Sequence, residues 1–368
     1  LIDRNLIWEK IKEFNFGVDF SVLQNRINLT ADTYRRLSDG QIMKATVPLE
    51  TGEGSITTNI GAVRNTGIEL GLNLGVIRNK NFTWDVNLAF ARNWSKITEL
   101  PNGDDVSNNW FIGERLNVLR DYTSAGIITT DGITMRTKDG DRHYTLQEVY
   151  DTFGPGGQGL KWYEGQMAVN DWNNDGKIND EDKQIFGCTD PKWTGSLSST
   201  MTYKGFDFSF MLYTKQGQWS RSYFHEQYMN YGDRGRQKVN FDYYIPAGTP
   251  VLDKNTGDVT YLSEAHIGKY PYPNNTEKTG GGYFSSSSAA VRYHKTSFVK
   301  VKNITLGYTF PKAWLSKIAV KHLRLYVNVI NPFCFTDYEG FDPEWASANL
   351  TNGGPASVTY QIGANIKF

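Results

Sequence analysis

The protein has 368 residues, 39% of them hydrophobic and 14% aromatic, and its 39 Lys and Arg residues balance its 39 Asp and Glu residues. A net charge of zero provides no basic surface for a polyanion, so nucleic-acid binding has no support. No run approaches the roughly 18 apolar residues of a membrane helix, and the mean hydropathy is −0.50. A membrane β-barrel escapes this hydropathy test because only alternate residues of its strands meet lipid.

Alternating apolar and polar residues predict strands from near the first residue onward. The clearest pair runs from Ile68 to Val76 and from Phe82 to Phe90, joined by a tight turn at Arg78 to Asn81. Such two-faced strands are typical of a membrane barrel. The predicted crossings are 9–22, 26–38, 63–77, 81–95, 192–204, 205–217, 296–310, 320–330 and 357–368.

Short and long connections alternate between these strands. The connections at residues 24–26, 78–81, 204–205 and 311–319 are short, whereas residues 39–62, 96–191, 218–295 and 331–356 form long ones. Outer-membrane barrels place short turns in the periplasm and long loops outside the cell. Counted back from a periplasmic Phe368, every short turn falls inside and every long loop outside.

The segment Leu116 to Ile128 also looks like a strand. One extra crossing there would move every earlier short turn to the outer side of the membrane and every earlier long loop to the periplasm. Residues 96–191 must therefore hold zero or two crossings. We expect zero, with this segment above the membrane.

The last strand alternates without a break and ends on an aromatic residue. Its apolar residues include Tyr360, Ile362, Ile366 and Phe368, which are similar to the terminal assembly signal of bacterial outer-membrane barrels. A soluble two-sheet sandwich is the alternative that a single strand leaves open.

Five ordered motifs narrow the fold to a family. They are Trp8-Glu9 with Phe14 to Phe20; Asn65 to Leu70; Asp171 to Asp182 with Gly187 and Tyr203 to Asp207; Val301 to Pro311; and Leu323 to Val327 with Asn331 to Phe333 and Tyr338 to Glu344. In this order they resemble the carboxyl-terminal half of the SusC/RagA-type TonB-dependent transporters of Bacteroidetes. The resemblance covers nearly all of residues 1–368.

This resemblance implies an all-β fold, the carboxyl-terminal part of an antiparallel outer-membrane barrel of about 22 strands. It also implies import of glycan oligomers or peptides, energy from the TonB complex, a SusD-type surface lipoprotein as a lid, and contact with outer-membrane lipid. A dimer of transporter–lipoprotein pairs is a further expectation. We expect the plug and the first barrel strands to lie outside this chain, which leaves its sheet with two unpaired edges.

Residues 171–182 carry the sharpest chemical motif. Oxygen-bearing side chains at alternate positions, Gly176 at the sixth position and a position-7 carbonyl match an EF-hand-type calcium loop. Asp182 replaces the usual final Glu, and no clear helix precedes the loop. The predicted ligands of a structural calcium ion are Asp171, Asn173, Asp175, Lys177 through its carbonyl, Asn179 and Asp182. The alternative is a polar loop that merely turns.

The loop 218–295 is the predicted contact region because aromatic faces stack on sugars and Arg donates to hydroxyls or carbonyls. A lid-lipoprotein interface or packing within the loop would use the same residue types. The candidate residues are Trp219, Tyr223, Phe224, Tyr228, Tyr231, Arg234 and Arg236.

Nothing in the sequence indicates an enzyme. The five histidines are scattered without zinc-ligand spacing, and no nucleophile elbow or phosphate-binding loop occurs. Cys188 and Cys334 both fall near outer strand ends, which leaves a disulfide between them open.

Three function classes remain. The leading class is active import of an oligomeric nutrient, glycan or peptide. The second is a TonB-dependent siderophore or cobalamin receptor without a lid. The third is a surface barrel that acts as an adhesin or assembly scaffold.

Overall fold

The structure is a computed structural model that describes residues 2–46, 50, 52, 54–59, 61–100, 103–154, 159–228, 242–272, 289–316, 320–348 and 356–368. The strands up to residue 144 are β1 (Lys10–Val22), β2 (Ile27–Asp39), β3 (Ile42–Thr46), β4 (Ser55–Asn59), β5 (Ala62–Arg78), β6 (Phe82–Glu99), β7 (Val118–Asp121), β8 (Ser124–Ile127), β9 (Ile133–Thr137) and β10 (Gly140–Tyr144). The later strands are β11 (Met167–Val169), β12 (Gln184–Cys188), β13 (Trp193–Tyr203), β14 (Phe206–Gln216), β15 (Trp219–Arg221), β16 (Pro250–Leu252), β17 (Val259–Tyr261), β18 (Tyr293–Lys295), β19 (Phe298–Thr309), β20 (His322–Thr336) and β21 (Thr359–Lys367).

Four short helices accompany the strands in the described residues. They are α1 (Leu146–Phe153), α2 (Tyr223–Tyr228), α3 (Ala289–Arg292) and α4 (Lys312–Leu315). None of these described helices has the length and apolarity to cross a membrane.

Nine strands form one antiparallel sheet in the order β1-β2-β5-β6-β13-β14-β19-β20-β21. All nine predicted strands are present, and each pairs with its neighbours along the chain. Within the described residues, β1 pairs only with β2 and β21 only with β20. The sheet is therefore open at both edges, and residues 9–22 do not close a nine-stranded barrel against 357–368.

Tight turns join the strands at one end of the sheet. Lys204 and Gly205 link β13 to β14 with φ values of 45° and 94°, the left-handed conformations that a two-residue hairpin turn requires. Leu23, Gln24 and Asn25 also have positive φ between β1 and β2. The predicted short turns at 24–26 and 204–205 are confirmed.

The strand register divides the sheet into an apolar and a polar face. Leu72 lies opposite Leu88, and Leu88 lies opposite Leu197; the same face continues through Leu212 to Val301. Phe82, Trp84 and Leu88 share this apolar face because they alternate along β6. The polar face carries Asn73 opposite Asn87, and an ion pair between Arg324 and Asp207 with a nitrogen–oxygen distance of 2.8 Å.

Two predicted strand ends are wrong. β6 continues to Glu99 rather than ending at residue 95, and β20 continues to Thr336 rather than ending at residue 330. The second extension passes through a bulge at Asn331, whose φ is 52°, and the register with β19 shifts there. Pro332 lies within the bulge, which tolerates a residue without an N–H because the hydrogen-bond ladder is interrupted there. The expected long connection 39–62 likewise contains the β3–β4 hairpin.

Residues 96–191 add no strand to the nine-stranded sheet within the described residues. Leu116 to Ile128 splits into β7 and β8, which pair with β12 and β11 in separate two-stranded sheets. The expectation of zero extra sheet strands is confirmed.

The largest hydrophobic core of the described residues lies in the loops, whereas the apolar face of the sheet is exposed. One cluster is built from Ile128, Ile133, Met135, Tyr144, Val149, Trp162, Tyr163 and Ala168. A second cluster packs Ile127 and Met167 of the first long loop against Phe224, Tyr244, Tyr270 and Val291 of the next. A soluble sandwich would bury its sheet face, so this arrangement does not fit that alternative.

Candidate functional sites

The segment 171–182 forms a closed loop around two buried carboxylates. The side chain of Asp171 accepts hydrogen bonds from the backbone nitrogens of Asp175 at 3.2 Å and Gly176 at 2.9 Å. The carboxylate of Asp182 accepts from the backbone nitrogens of Asn173 at 3.2 Å and Asn179 at 2.8 Å. Gly176 has a φ of 77°, which makes the turn possible.

The two carboxylates lack a cationic partner among the described residues. Asp171 and Asp182 are both 0% exposed. Burial raises the pKa of Asp182, and the charge of Asp171 raises it further, although backbone N–H groups oppose this. Paired buried carboxylates are costly without a compensating cation, and hard oxygen donors are those that calcium prefers.

Other predicted ligands are engaged within the same loop. Asn173 accepts a hydrogen bond from the Asp175 backbone at 3.1 Å and donates to Glu181 at 3.0 Å, while Asn179 accepts from the Glu181 backbone at 2.8 Å. Asp175 accepts from the Lys177 backbone at 2.8 Å. Among the described residues, no three Asp, Glu, His or Cys side chains converge as a metal site. Calcium here would depend on amide and carbonyl oxygens as well as carboxylates.

A polar groove of about 410 Å³ adjoins this loop. Trp172 of the loop lies on one side, and Arg136 and Asp141 lie on the exposed face of the β9–β10 hairpin, where they are register partners. Gln184 and Phe186 of β12 complete the lining. Its volume is within the range of small-molecule sites.

Asn170 fixes the floor of this groove. Its side-chain oxygen accepts from the backbone nitrogen of Arg136 at 2.8 Å, and its amide donates to the hydroxyl of Thr123 at 2.9 Å. The charged groups of Arg136 and Asp141 form no ion pair among the described residues and stay exposed. The groove therefore presents a donor, an acceptor and an aromatic ring on a rigid base.

A buried polar cluster joins three loop segments. The hydroxyl of Ser222 lies 2.6 Å from Nδ1 of His225 and 2.6 Å from the hydroxyl of Tyr338. The hydroxyl of Tyr270 lies 3.2 Å from Nε2 of His225 and donates to Glu339. Ser222 is 0% exposed, so this Ser–His contact offers no access to a substrate.

Burial controls the protonation of the two histidines in this cluster. The ring of His225 stacks on that of His294 with 3.7 Å between centroids. Burial, with the nearby charges of His294 and Lys269, lowers the pKa of His225 to about 3. The pKa of His294 is also lowered, mainly by burial. Both rings are therefore neutral at pH 7.

The predicted contact residues are separated by the fold. Phe224 is 7% exposed and packs on Phe341 with 4.7 Å between ring centroids, so it packs within the loops. Trp219 packs edge-on against Phe186, whereas Tyr223 lies under the guanidinium of Arg221 and is partly exposed. The side chain of Tyr228 and all of Tyr231, Arg234 and Arg236 lie outside the described residues.

The groove residues Arg136, Asp141 and Trp172 were not among the predicted contacts. The sequence Thr137-Lys-Asp-Gly140 between alternating segments is a hairpin signal that would have placed Arg136 and Asp141 on one face. The other walls come from residues distant in sequence, so no local pattern would have revealed the groove. Cys188 and Cys334 are both free, so no disulfide bond joins them.

On the terminal strand, the apolar residues stand on one face and are strongly exposed. Tyr360, Ile362 and Ile366 lie opposite Val329, Val327 and Leu323 of β20. Ile362 is 87% exposed and Phe368, just beyond the strand, is 80% exposed.

No protein-family profile matches the chain. The chain is 29% identical to TonB-dependent receptor SusC of Bacteroides thetaiotaomicron, over 100% of the chain and 32% of that protein. It is 28% identical to TonB-dependent receptor P39 of Formosa agariphila, over 99% of the chain and 36% of that protein. The resemblance to the SusC/RagA-type receptors is confirmed. The chain spans about a third of the length of these two relatives.

Solved structures support the same fold. The structure of the RagAB peptide transporter superposes with a TM-score of 0.69 and 20% identity, over 98% of this chain and 36% of that one. The RagAB peptide importer in its closed-closed state gives a TM-score of 0.67. The chain thus has the fold of part of an antiparallel outer-membrane β-barrel, in which the apolar face of the sheet meets lipid.

Proposed function

We propose that this chain forms part of the barrel wall and outer loops of a TonB-dependent importer for an oligomeric nutrient, glycan or peptide. The similarity to SusC-type receptors along the whole chain carries the proposal. A SusD-type lipoprotein would close over the outer loops, and the TonB complex would act through a part of the protein outside this chain.

The test is uptake by cells that carry the full-length gene, its deletion, or an inactive TonB. We expect deletion and TonB loss to abolish growth on one class of oligosaccharide or peptide. Loss of growth only under iron or cobalamin limitation would favour the receptor alternative. Unchanged surface function without TonB would favour an adhesin or scaffold.

We further propose that the groove of Arg136, Asp141 and Trp172 contacts the nutrient. A hydroxyl or amide can accept from Arg136 and donate to Asp141, while Trp172 offers a stacking face. Replacing Trp172 with Ala should raise the half-saturating nutrient concentration about tenfold, since aromatic stacking of this kind contributes on the order of 1 kcal/mol or more. Phe111→Ala, away from the groove, is the control, and equal effects of both variants would contradict the contact.

We also propose that the loop 171–182 binds calcium in a structural role. Its support is the burial of Asp171 and Asp182 without a cationic partner among the described residues. A purified full-length protein should bind one calcium ion more than its Asp171→Asn variant, and chelation should expose the loop to protease. Asp151→Asn, on a nearby exposed helix position, is the control. Equal calcium content in all three proteins would refute the site.

A further inference from the structure

A second groove lies at the end of the sheet that carries the long loops, between the strand ends and β12. It has a volume of about 390 Å³ and is lined by Arg92, Trp94, Arg115, Lys192 and Trp219, with Glu114 as its acidic residue. Three cations against one carboxylate give it a net positive charge.

The strand register places two residues of this groove, Arg92 and Trp94, at the rim of the apolar face. Arg92 and Trp94 continue the face of Leu88 and Phe90, because all four alternate along β6. Arg92 is ten residues beyond Phe82. At about 3.3 Å per residue and a tilt of about 45°, it lies about 23 Å along the membrane normal, close to the ~25 Å height of an apolar barrel band. The groove is therefore level with lipid headgroups.

Ring and backbone contacts position Arg92 and Arg115 of the groove, but no carboxylate among the described residues pairs with them. The guanidinium of Arg92 lies 4.4 Å from the ring centroid of Trp94. Arg115 donates to the backbone oxygens of Asn93 at 2.7 Å and Asp190 at 3.2 Å. Among the described residues, neither these two side chains nor Lys192 forms an ion pair, and Arg92 and Lys192 are exposed.

An apolar depression lies next to the groove, toward the membrane centre. It is about 470 Å³ in volume and is lined by Leu70, Leu88, Phe90, Trp193 and Leu197, with Gly195 among them. A cationic groove at headgroup level above an apolar depression on the same face matches a lipid with an anionic head and an acyl chain.

We propose that this groove binds the phosphate-bearing headgroup of an outer-leaflet lipid, with an acyl chain in the depression near Gly195. Guanidinium and ammonium groups are the usual phosphate partners, and Trp94 and Trp219 are suited to the interface. The proposal does not depend on which nutrient the protein imports.

The test uses the purified full-length protein in detergent, with phosphorylated lipid A as probe and the same lipid enzymatically freed of phosphate as comparison. Bound lipid is counted by native mass spectrometry. We expect the phosphorylated form to bind at least tenfold more tightly. Arg92→Gln and Lys192→Gln should each lower that preference about fivefold, as expected for one cation near a charged lipid surface.

Lys204→Gln is the matched control, because Lys204 lies 5.2 Å from the ring centroid of Tyr203 at the opposite rim of the same wall. Its lipid preference should equal that of the unaltered protein. Equal binding of both lipids, or an equal loss in the control, would overturn the proposal. So would displacement of the lipid by millimolar inorganic phosphate, since that would indicate a site for the free anion. The comparison of the two lipids needs no variant, so a misfolded variant would not obscure the result.

Discussion

A buried lysine, Lys300, joins a loop to the sheet through two ion pairs. Lys300 is 3% exposed, and its ammonium donates to Asp342 and Glu344 at 2.6 Å each. Removing one partner of such a pair leaves the other charge buried and uncompensated. The anchoring of residues 342–345 to β19 therefore depends strongly on one side chain.

Replacing Lys300 with Met should detach this loop at a cost of about 3–5 kcal/mol. Limited proteolysis of the full-length protein should then cut near residue 342 much faster. Lys302→Met is the control, because its contact with Glu344 is partly exposed and worth about 1 kcal/mol or less. Similar cleavage rates in both variants would refute the assigned role of Lys300.

The pH dependence of the loops should follow from His225. Its pKa in the folded protein is about 3, below the ordinary value of 6.5, so the unfolded segment binds a proton that the folded one does not. The free energy of unfolding of this segment is therefore highest above pH 6.5, and it falls as the pH falls toward 3. Between pH 6.5 and 5 the loss should be about 2 kcal/mol.

Hydrogen exchange of residues 222–228 in the full-length protein, corrected for intrinsic rates, measures this loss. His225→Gln should open more readily at pH 7 but respond much less to acid. His143→Gln, at an exposed histidine, should keep the original pH profile. Identical profiles for all three proteins would show that His225 is not the titrating group.

At the scale of elements, alternation was sufficient to predict all nine sheet strands. Side chains of a strand point alternately to the two faces of the sheet, so the alternation shows which face each residue occupies. Leu72, Leu88 and Leu197 are examples. Strand ends were less accurate, because β20 passes through a bulge at Asn331 and Pro332 that locally resembles a loop. The residues of the groove beside Trp172 could not be grouped in advance, since tertiary packing of distant segments brings them together.

The terminal strand should be sensitive to charge on one face only. Ile362→Lys would place an ammonium among lipid chains, at a cost of about 2–4 kcal/mol near the membrane centre. Gln361→Lys, on the polar face beside Asn328, should be tolerated. The amount of heat-modifiable barrel in outer membranes distinguishes them, and equal loss in both variants would indicate that the register is wrong.

Phe368→Ala should reduce the amount of protein assembled in the outer membrane more than it changes uptake per assembled molecule. Quantifying surface protein alongside nutrient uptake separates the two effects. A variant assembled at normal levels but impaired in uptake would contradict an assembly role.

At the scale of the molecule, the two unpaired edges decide how the chain behaves alone. Exposed backbone donors and acceptors at β1 and β21 are templates for pairing with another chain. The 368-residue chain, produced alone in detergent, should therefore form higher oligomers by size-exclusion chromatography, whereas the full-length protein should not. A monodisperse monomer would contradict the open sheet.

The packed core within residues 100–191 bears on how such a chain reaches its final form. β6 and β13 are neighbours in the sheet although Glu99 and Trp193 are more than ninety positions apart. The entropy lost in joining two strand ends grows with the length of flexible chain between them. A segment that collapses around Ile128 and Tyr144 before the strands meet behaves as a short tether. The β6–β13 contact then becomes kinetically local, so β13 can be added directly after β6 during insertion.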